Sequence, residues 1–296
     1  VLDEADMLLE GSYLRDVEKV LDAFRLMRRE QIRNGEIGIN DKTVQFVLSA
    51  ATLPTYGLKS MDSYVKKKFP SATRITNDHL HMRHPQIIQE FVQLNNETAY
   101  GMRRSHTEEP PITFPDRMEA ITAAIRSLNP ESGATSDMHI PGGSTMIFVN
   151  TAEAAIELAE ALRNPISGSP LECAEFHKLL PGKQKQEQLE SFREGKIGVL
   201  ICTDAAARGL DLPEVEHVIQ AEFALNVVQY LHRIGRASRG GKMGRATSIV
   251  DSRSRDLAHS IRSGEDRSVS QSFSRKRGFR NKFKKKARHN RDTTAK

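Results

Sequence analysis

Between residues 146 and 250, short and mostly apolar runs recur at 146–149, 173–176, 199–202, 217–221 and 246–250. Stretches of helical periodicity at 152–163, 183–194 and 226–234 separate most of them. Apolar runs of this length, with little polar alternation, are what a strand covered on both faces requires. Helices between such strands supply the long crossovers that parallel pairing needs. The alternation therefore predicts an α/β domain, a parallel sheet flanked by helices. In such a sheet, chemistry belongs just past the carboxyl ends of the strands.

The first six residues, Val1-Leu2-Asp3-Glu4-Ala5-Asp6, fit the same rule. Two apolar residues followed at once by acids read as a buried strand delivering carboxylates to its exposed end. An acid placed there can hold Mg²⁺ through water, and a second can orient an attacking water. On these residues alone a solvated acidic turn is the alternative. Downstream, 7–34 has helical spacing, and Thr43-Val44-Gln45-Phe46-Val47-Leu48 reads as a buried strand running into Ser49-Ala50-Ala51-Thr52. A helix at 57–68 and strands at 72–75 and 85–94 complete a first domain at 1–94. Residues 95–115, polar and holding Pro110-Pro111, read as a linker. A second domain at 116–263 opens on a helix with Met118, Ile121, Ala124, Ile125 and Leu128 on one side. It carries a Gly/Pro/Ser-rich loop at 129–144 and closes on a helix at 253–262.

Charge is uneven along this chain. From Arg275 to the end there are eleven Lys/Arg and one acid, against a formal net charge of +6 for all 296 residues. The folded body is thus mildly acidic, and the basicity belongs to a tail at 264–296. There Arg277 and Arg280 alternate with Phe279 and Phe283, a composition that forms no core but suits phosphate attraction and base stacking. A nuclear signal and a plain solubilising tail are the alternatives. No apolar run approaches the roughly 20 residues of a membrane-spanning helix. Cys173 and Cys202 lack ligand spacing and read as reduced core thiols. His79, His81 and His84 lack the helical spacing of a metal site. Pro141-Gly142-Gly143-Ser144 lacks the lysine of a phosphate loop.

Two motifs together carry a family resemblance. The quartet Asp3-Glu4-Ala5-Asp6 and the run His232-Arg233-Ile234-Gly235-Arg236-Ala237-Ser238-Arg239 resemble the signature and the last motif of DEAD-box RNA helicases. The resemblance extends to about residue 262. It implies tandem RecA-like P-loop NTPase domains with ATP and Mg²⁺ as cofactors, RNA as partner and a monomer. The family's adenine-reading segment and P-loop lie upstream of the quartet. The first domain is accordingly expected to be present only in its second half, and this chain alone to be inactive.

The resemblance also assigns roles. Asp3, holding Mg²⁺ through water, and Glu4 are implied as catalytic, with Arg236 and Arg239 as arginine fingers on the γ-phosphate. Ile147-Phe148-Val149-Asn150-Thr151 resembles the family's fourth motif, and Cys202-Thr203-Asp204 with Ala207-Arg208-Gly209-Leu210-Asp211 its fifth. Asp6, Gly209, Asp211, His232 and Arg233 fall at ATP or inter-domain positions, with His232 and Arg233 touching the first domain and the fifth motif. Ala50 and Thr52 stand in the coupling motif, where Ala50 replaces the family's serine and Ser49 points to the opposite face. Asn150, Thr151 and Thr203 fall at RNA-contact positions, with an N-cap role open for Thr151. In 177–185 the family's Gln and Arg become Gly182 and Lys185, which weakens bidentate phosphate contact. Glu222 and Ala224 replace the usual Asp and Pro. The wording Ala50-Ala51-Thr52-Leu53-Pro54 is similar to plant organelle members. That makes ribosome assembly in a mitochondrion or chloroplast an expectation, with the nucleus as alternative. A non-catalytic RNA-binding scaffold is the rival function.

Overall fold

The computed structural model describes residues 1–9, 13–38, 44–50, 52, 61–76, 86–94, 114–127, 144–165, 169–207, 215–237 and 243–263. The chain divides into two compact units, one built around Val1–Met82 and one spanning Arg83–Asp266.

The first unit contains α1 (Ala5–Leu8), α2 (Leu14–Arg33) and α3 (Met61–Lys68). Leu2 forms a parallel bridge with Leu48. Its N–H donates to the Val47 carbonyl at 2.7 Å and its carbonyl accepts from Ser49 at 2.8 Å. Pairing at 43–48 is limited to this bridge among the described residues, where the spacing predicts a full strand. The expected strand at 72–75 forms no ladder among the described residues, and Ile75 is exposed. Ala5, Leu9, Val17, Leu21 and Met61 form a small apolar core.

The second unit realises the predicted alternation. Its strands are β1 (Ile87–Gln93), β2 (Thr145–Val149), β3 (Ala174–Phe176), β4 (Val199–Thr203), β5 (His217–Gln220) and β6 (Gly244–Val250). Its helices are α4 (Phe114–Arg126), α5 (Ala152–Arg163), α6 (Gly182–Arg193), α7 (Asp204–Ala207), α8 (Val227–Ile234) and α9 (Arg255–Ser263). The strands form one sheet in the order β1-β6-β5-β2-β4-β3, every pair parallel. Side-chain alternation feeds two cores at once. Ile147, Val149, Val199 and Ile201 pack with residues of α4 and α5 on one face. Met146, Phe148, Leu200 and Cys202 pack with Leu189 and Phe192 of α6 on the other. A strand read by both cores has no polar side, which is why these segments appear as unbroken apolar runs. Burial holds both thiols protonated, with Cys173 pushed up to about 11 and Cys202 raised further.

The domain boundary departs from expectation. From sequence, residues 85–94 close the first domain. Instead β1 pairs with β6 over its whole length, Ile87 opposite Gly244 through Gln93 opposite Val250. Period-two patterning identifies a strand but not its neighbour, and here the neighbour lies about 160 residues on. Most of the expected linker, 95–113, lies outside the described residues.

Gly244 opens β6 where no side chain fits. A Cβ there would lie 1.8 Å from the Ala237 carbonyl oxygen and 2.5 Å from its carbon. Ala237 follows α8, so Gly244 lets that turn lie directly against the start of β6. Gly182, by contrast, faces open space. Gly244→Ala is expected to cost about 2–3 kcal/mol in chemical denaturation, and Gly182→Ala close to nothing. Equal midpoints for the two variants would show that the Ala237 contact yields without cost.

Candidate nucleotide and RNA site

Strand order brings the carboxyl ends of β4, β2 and β5 side by side, and the polar residues just past them meet at one side chain. Arg233, near the end of α8, is 1 % exposed. Its Nε and Nη2 donate to the two carboxylate oxygens of Asp204 at 2.8 and 2.7 Å, a bidentate pair. Nη2 also donates to Asn150 Oδ1 at 2.7 Å. Nη1 donates to the Glu222 carbonyl at 2.6 Å and, at 3.4 Å, to Gln220 Oε1. The guanidinium lies over the Phe148 ring, 5.2 Å from its centroid. All five N–H donors of the guanidinium thus have partners, which is what keeps a fully buried cation tolerable.

Arg233 touches the fifth motif, as the resemblance implies, through Asp204. Asn150 is likewise occupied. Its Oδ1 accepts from Arg233, its Nδ2 donates to the Phe223 carbonyl at 3.2 Å, and its N–H donates to Glu222 Oε2 at 2.6 Å. Its side chain braces the β2–α5 turn. Thr151 takes the capping role, its hydroxyl accepting from the Ala154 N–H at 3.1 Å while the residue stays exposed. Thr203 closes β4 and is 8 % exposed. Arg117, Asp204 and Glu222 were assigned no role from sequence. Asp204 and Glu222 lie within or beside quoted motifs, whereas nothing in the sequence marks Arg117.

The remaining residues distribute as follows. Arg236 lies just beyond α8, its N–H donating to the Arg233 carbonyl at 3.1 Å, and it is 9 % exposed. Its charge is felt at Cys202, where burial and Asp204 raise the thiol pKa and Arg233 and Arg236 oppose the rise. His232 is half-buried. Gly182 begins α6, whose N-cap, Pro181, has no capping side chain and whose first turn holds no acid. Lys185 is half-buried on that turn. An uncapped, base-bearing helix start offers N–H groups to an anion. Gly209, Asp211, Arg239, Arg277, Phe279, Arg280 and Phe283 lie outside the described residues.

In the first unit, Asp3 is exposed, and its Oδ1 accepts from the Glu4 N–H at 3.0 Å. Glu4 has φ of 49°, the left-handed region that costs a non-glycine residue energy and clusters at functional turns. It turns the chain from the Leu2 bridge into α1. Asp6 is 1 % exposed and accepts from both the N–H of Thr52, at 3.0 Å, and its hydroxyl. The acidic turn is thus tied to Thr52 of the coupling motif. Ala50 packs toward the small core, and Ser49 is exposed.

Comparison with known proteins agrees with this geometry. The model of the helicase conserved C-terminal domain matches residues 128–241. DEAD-box ATP-dependent RNA helicase 22 of Oryza sativa subsp. japonica is 34% identical over 93% of this chain and 45% of its own length. The chain belongs to the DEAD-box family. The protein of the same name from Arabidopsis thaliana is 35% identical over 84% of this DEAD-box chain and 38% of its own length. The chain thus spans less than half of these curated relatives. Among solved structures, S. cerevisiae Dbp5 bound to RNA and ADP BeF3 matches with a TM-score of 0.63 and 25% identity. It covers 90% of this chain and 57% of that one. No helix among the described residues is long and apolar enough to cross a membrane.

Proposed function

We propose that this DEAD-box protein is an ATP-dependent RNA helicase that grips RNA by its sugar-phosphate backbone and remodels short structured stretches. The observation that carries the reading is the Arg233 hub. One buried guanidinium ties Asn150 of the fourth motif and Asp204 of the fifth to the helix that delivers Arg236 of the last. A scaffold that only bound RNA would have no need to hold a further arginine in fixed register with both.

Mg²⁺ fits the carboxylates that Asp3 and Glu4 present in the first unit. No cluster of three metal-ligating side chains occurs among the described residues. Mg²⁺ keeps most of its waters and takes one or two carboxylates plus phosphate oxygens, and Asp3 can supply such a carboxylate. Asp3 would hold it through water, and Glu4 would orient the attacking water. When bound, the ion neutralises charge developing on the phosphates. Arg236 and Arg239 add positive charge at the transferred phosphoryl group, and Asp6 with Thr52 keeps the acidic turn in place. Thr151, Thr203 and Lys185 hold RNA phosphates, so target choice falls to the tail and to other proteins, since phosphate contacts carry no sequence information. The same reading proposes a monomer acting in ribosome assembly in a mitochondrion or plastid, which a fluorescent fusion of the gene product tests.

The deciding experiment is ATP hydrolysis by the full-length gene product with and without RNA. Stimulation by RNA is expected. RNA binding without any turnover would favour the scaffold, the reading that Ala50 and Gly182 support.

A further inference from the structure

Glu222 sits at a crossing of the second unit that the helicase reading leaves without a task. Its Oε2 accepts from the Asn150 N–H at 2.6 Å, a short charge-assisted bond. Its Oε1 lies 3.4 Å from Arg117 Nη1. Its backbone carbonyl accepts from Arg233. Arg117, on the first turn of α4, also reaches the Ala221 carbonyl and Asp251 Oδ2, each at 3.4 Å. A single residue therefore touches the turn after β2, the helix after the linker segment and the buried hub of α8. Reach explains the choice of glutamate: one carboxylate spans from the backbone of Asn150 to a guanidinium on another helix.

Resting on the helicase reading, we infer that Glu222 is a positioning residue for RNA. Held by Arg117, it fixes the Asn150 N–H and so sets where Thr151 presents itself to a phosphate. The hub alone does not fix that turn. Arg233 holds the Asn150 side chain, while Glu222 holds its backbone, and a side chain restrained at one end still lets the peptide rotate. Removing the Glu222 charge leaves the cap of α5 intact, because Thr151 bonds Ala154 independently.

The test uses RNA-stimulated ATP hydrolysis by the full-length gene product, titrated with a short oligouridylate. Glu222→Gln is expected to raise the half-stimulating RNA concentration about tenfold, the fold-change of losing one charge-assisted hydrogen bond. Turnover at saturating RNA should stay within about twofold, because the phosphoryl-transfer residues are untouched. Arg117→Gln, at a partly exposed position, should move the same parameter about threefold in the same direction. In a Thr151→Ala background, Glu222→Gln should add little, since the contact it positions is already gone. A purely structural role predicts instead reduced turnover at saturation and additive effects, and that outcome overturns the inference. So does an unchanged half-stimulating concentration in both single variants. Wild-type protein lacking RNA-dependent turnover would overturn the helicase reading first and this one with it, so the two failures are distinguishable.

Discussion

Arg236→Ala is expected to lower RNA-stimulated ATP hydrolysis by on the order of 10³-fold, the low end of what an arginine finger contributes. RNA affinity should stay within about threefold, because the side chain is not among the proposed phosphate grips on RNA. The size of the effect follows from placement. Arg236 is 9 % exposed and leaves α8 one turn after the Arg233 hub, so its charge acts where water screens it little. A preorganised cation needs no rearrangement when charge develops on the phosphoryl group. Arg236→Lys keeps the charge but not the planar fork, and an intermediate loss is expected. Turnover by Arg236→Ala within tenfold of wild type would remove the finger role and leave Arg236 as a packing residue.

The second large effect is on stability. Replacing Arg233 by methionine leaves Asp204, Asn150 Oδ1 and the Glu222 carbonyl without their donor. Breaking a buried ion pair from one side costs about 3–5 kcal/mol, and with Asp204 16 % exposed the low end of that range is expected. A loss of that size should appear in the denaturation midpoint of this chain. Arg233→Met combined with Asp204→Asn should recover part of it, since no lone charge then remains. Arg233→Lys should fare little better than methionine, because three ammonium donors on one nitrogen cannot reach acceptors spread around a planar fork. A single methionine variant within about 1 kcal/mol of wild type would mean the hub is ornamental, and the coupling of motifs argued from it would fall.

Much of the second unit was legible because its strands are read by two cores. An apolar run such as Met146-Ile147-Phe148-Val149 has few other fates, and β2 through β6 lie where the runs predict them. The edge strand β1 was legible as a strand but assigned to the wrong domain. Its partner β6 is set by packing, which no local pattern carries. In the first unit the ladder expected at 43–48 reduces to the Leu2–Leu48 bridge. The apolar count of a strand does not report whether neighbours are at hand to pair with it.

For the site, residue identity proved more legible than residue role. The acidic turn, Thr52 and the last-motif arginines were named from sequence. The tie from Asp6 to Thr52 joins residues 46 positions apart, a pairing that only the structure shows. Asn150 and Arg233 were named too, Arg233 as touching the fifth motif, which it does through Asp204. That Asn150 is a further partner of the same side chain was not legible, because a buried guanidinium must satisfy five donors and takes acceptors from whatever the strand ends supply.

By itself, the sequence determined the chemistry on offer: which residue types stand past which strand ends, and that the sheet between them is parallel and covered on both faces. Only the tertiary structure decided which of those residues face each other. The order β4-β2-β5 sets Asp204 and Asn150, 29 and 83 positions from Arg233, against the same side chain. The reason is physical. Local patterning is fixed by burial along one strand, whereas the partners of a buried charge are fixed by which strands lie side by side, and that is settled only when the whole sheet closes on its two cores.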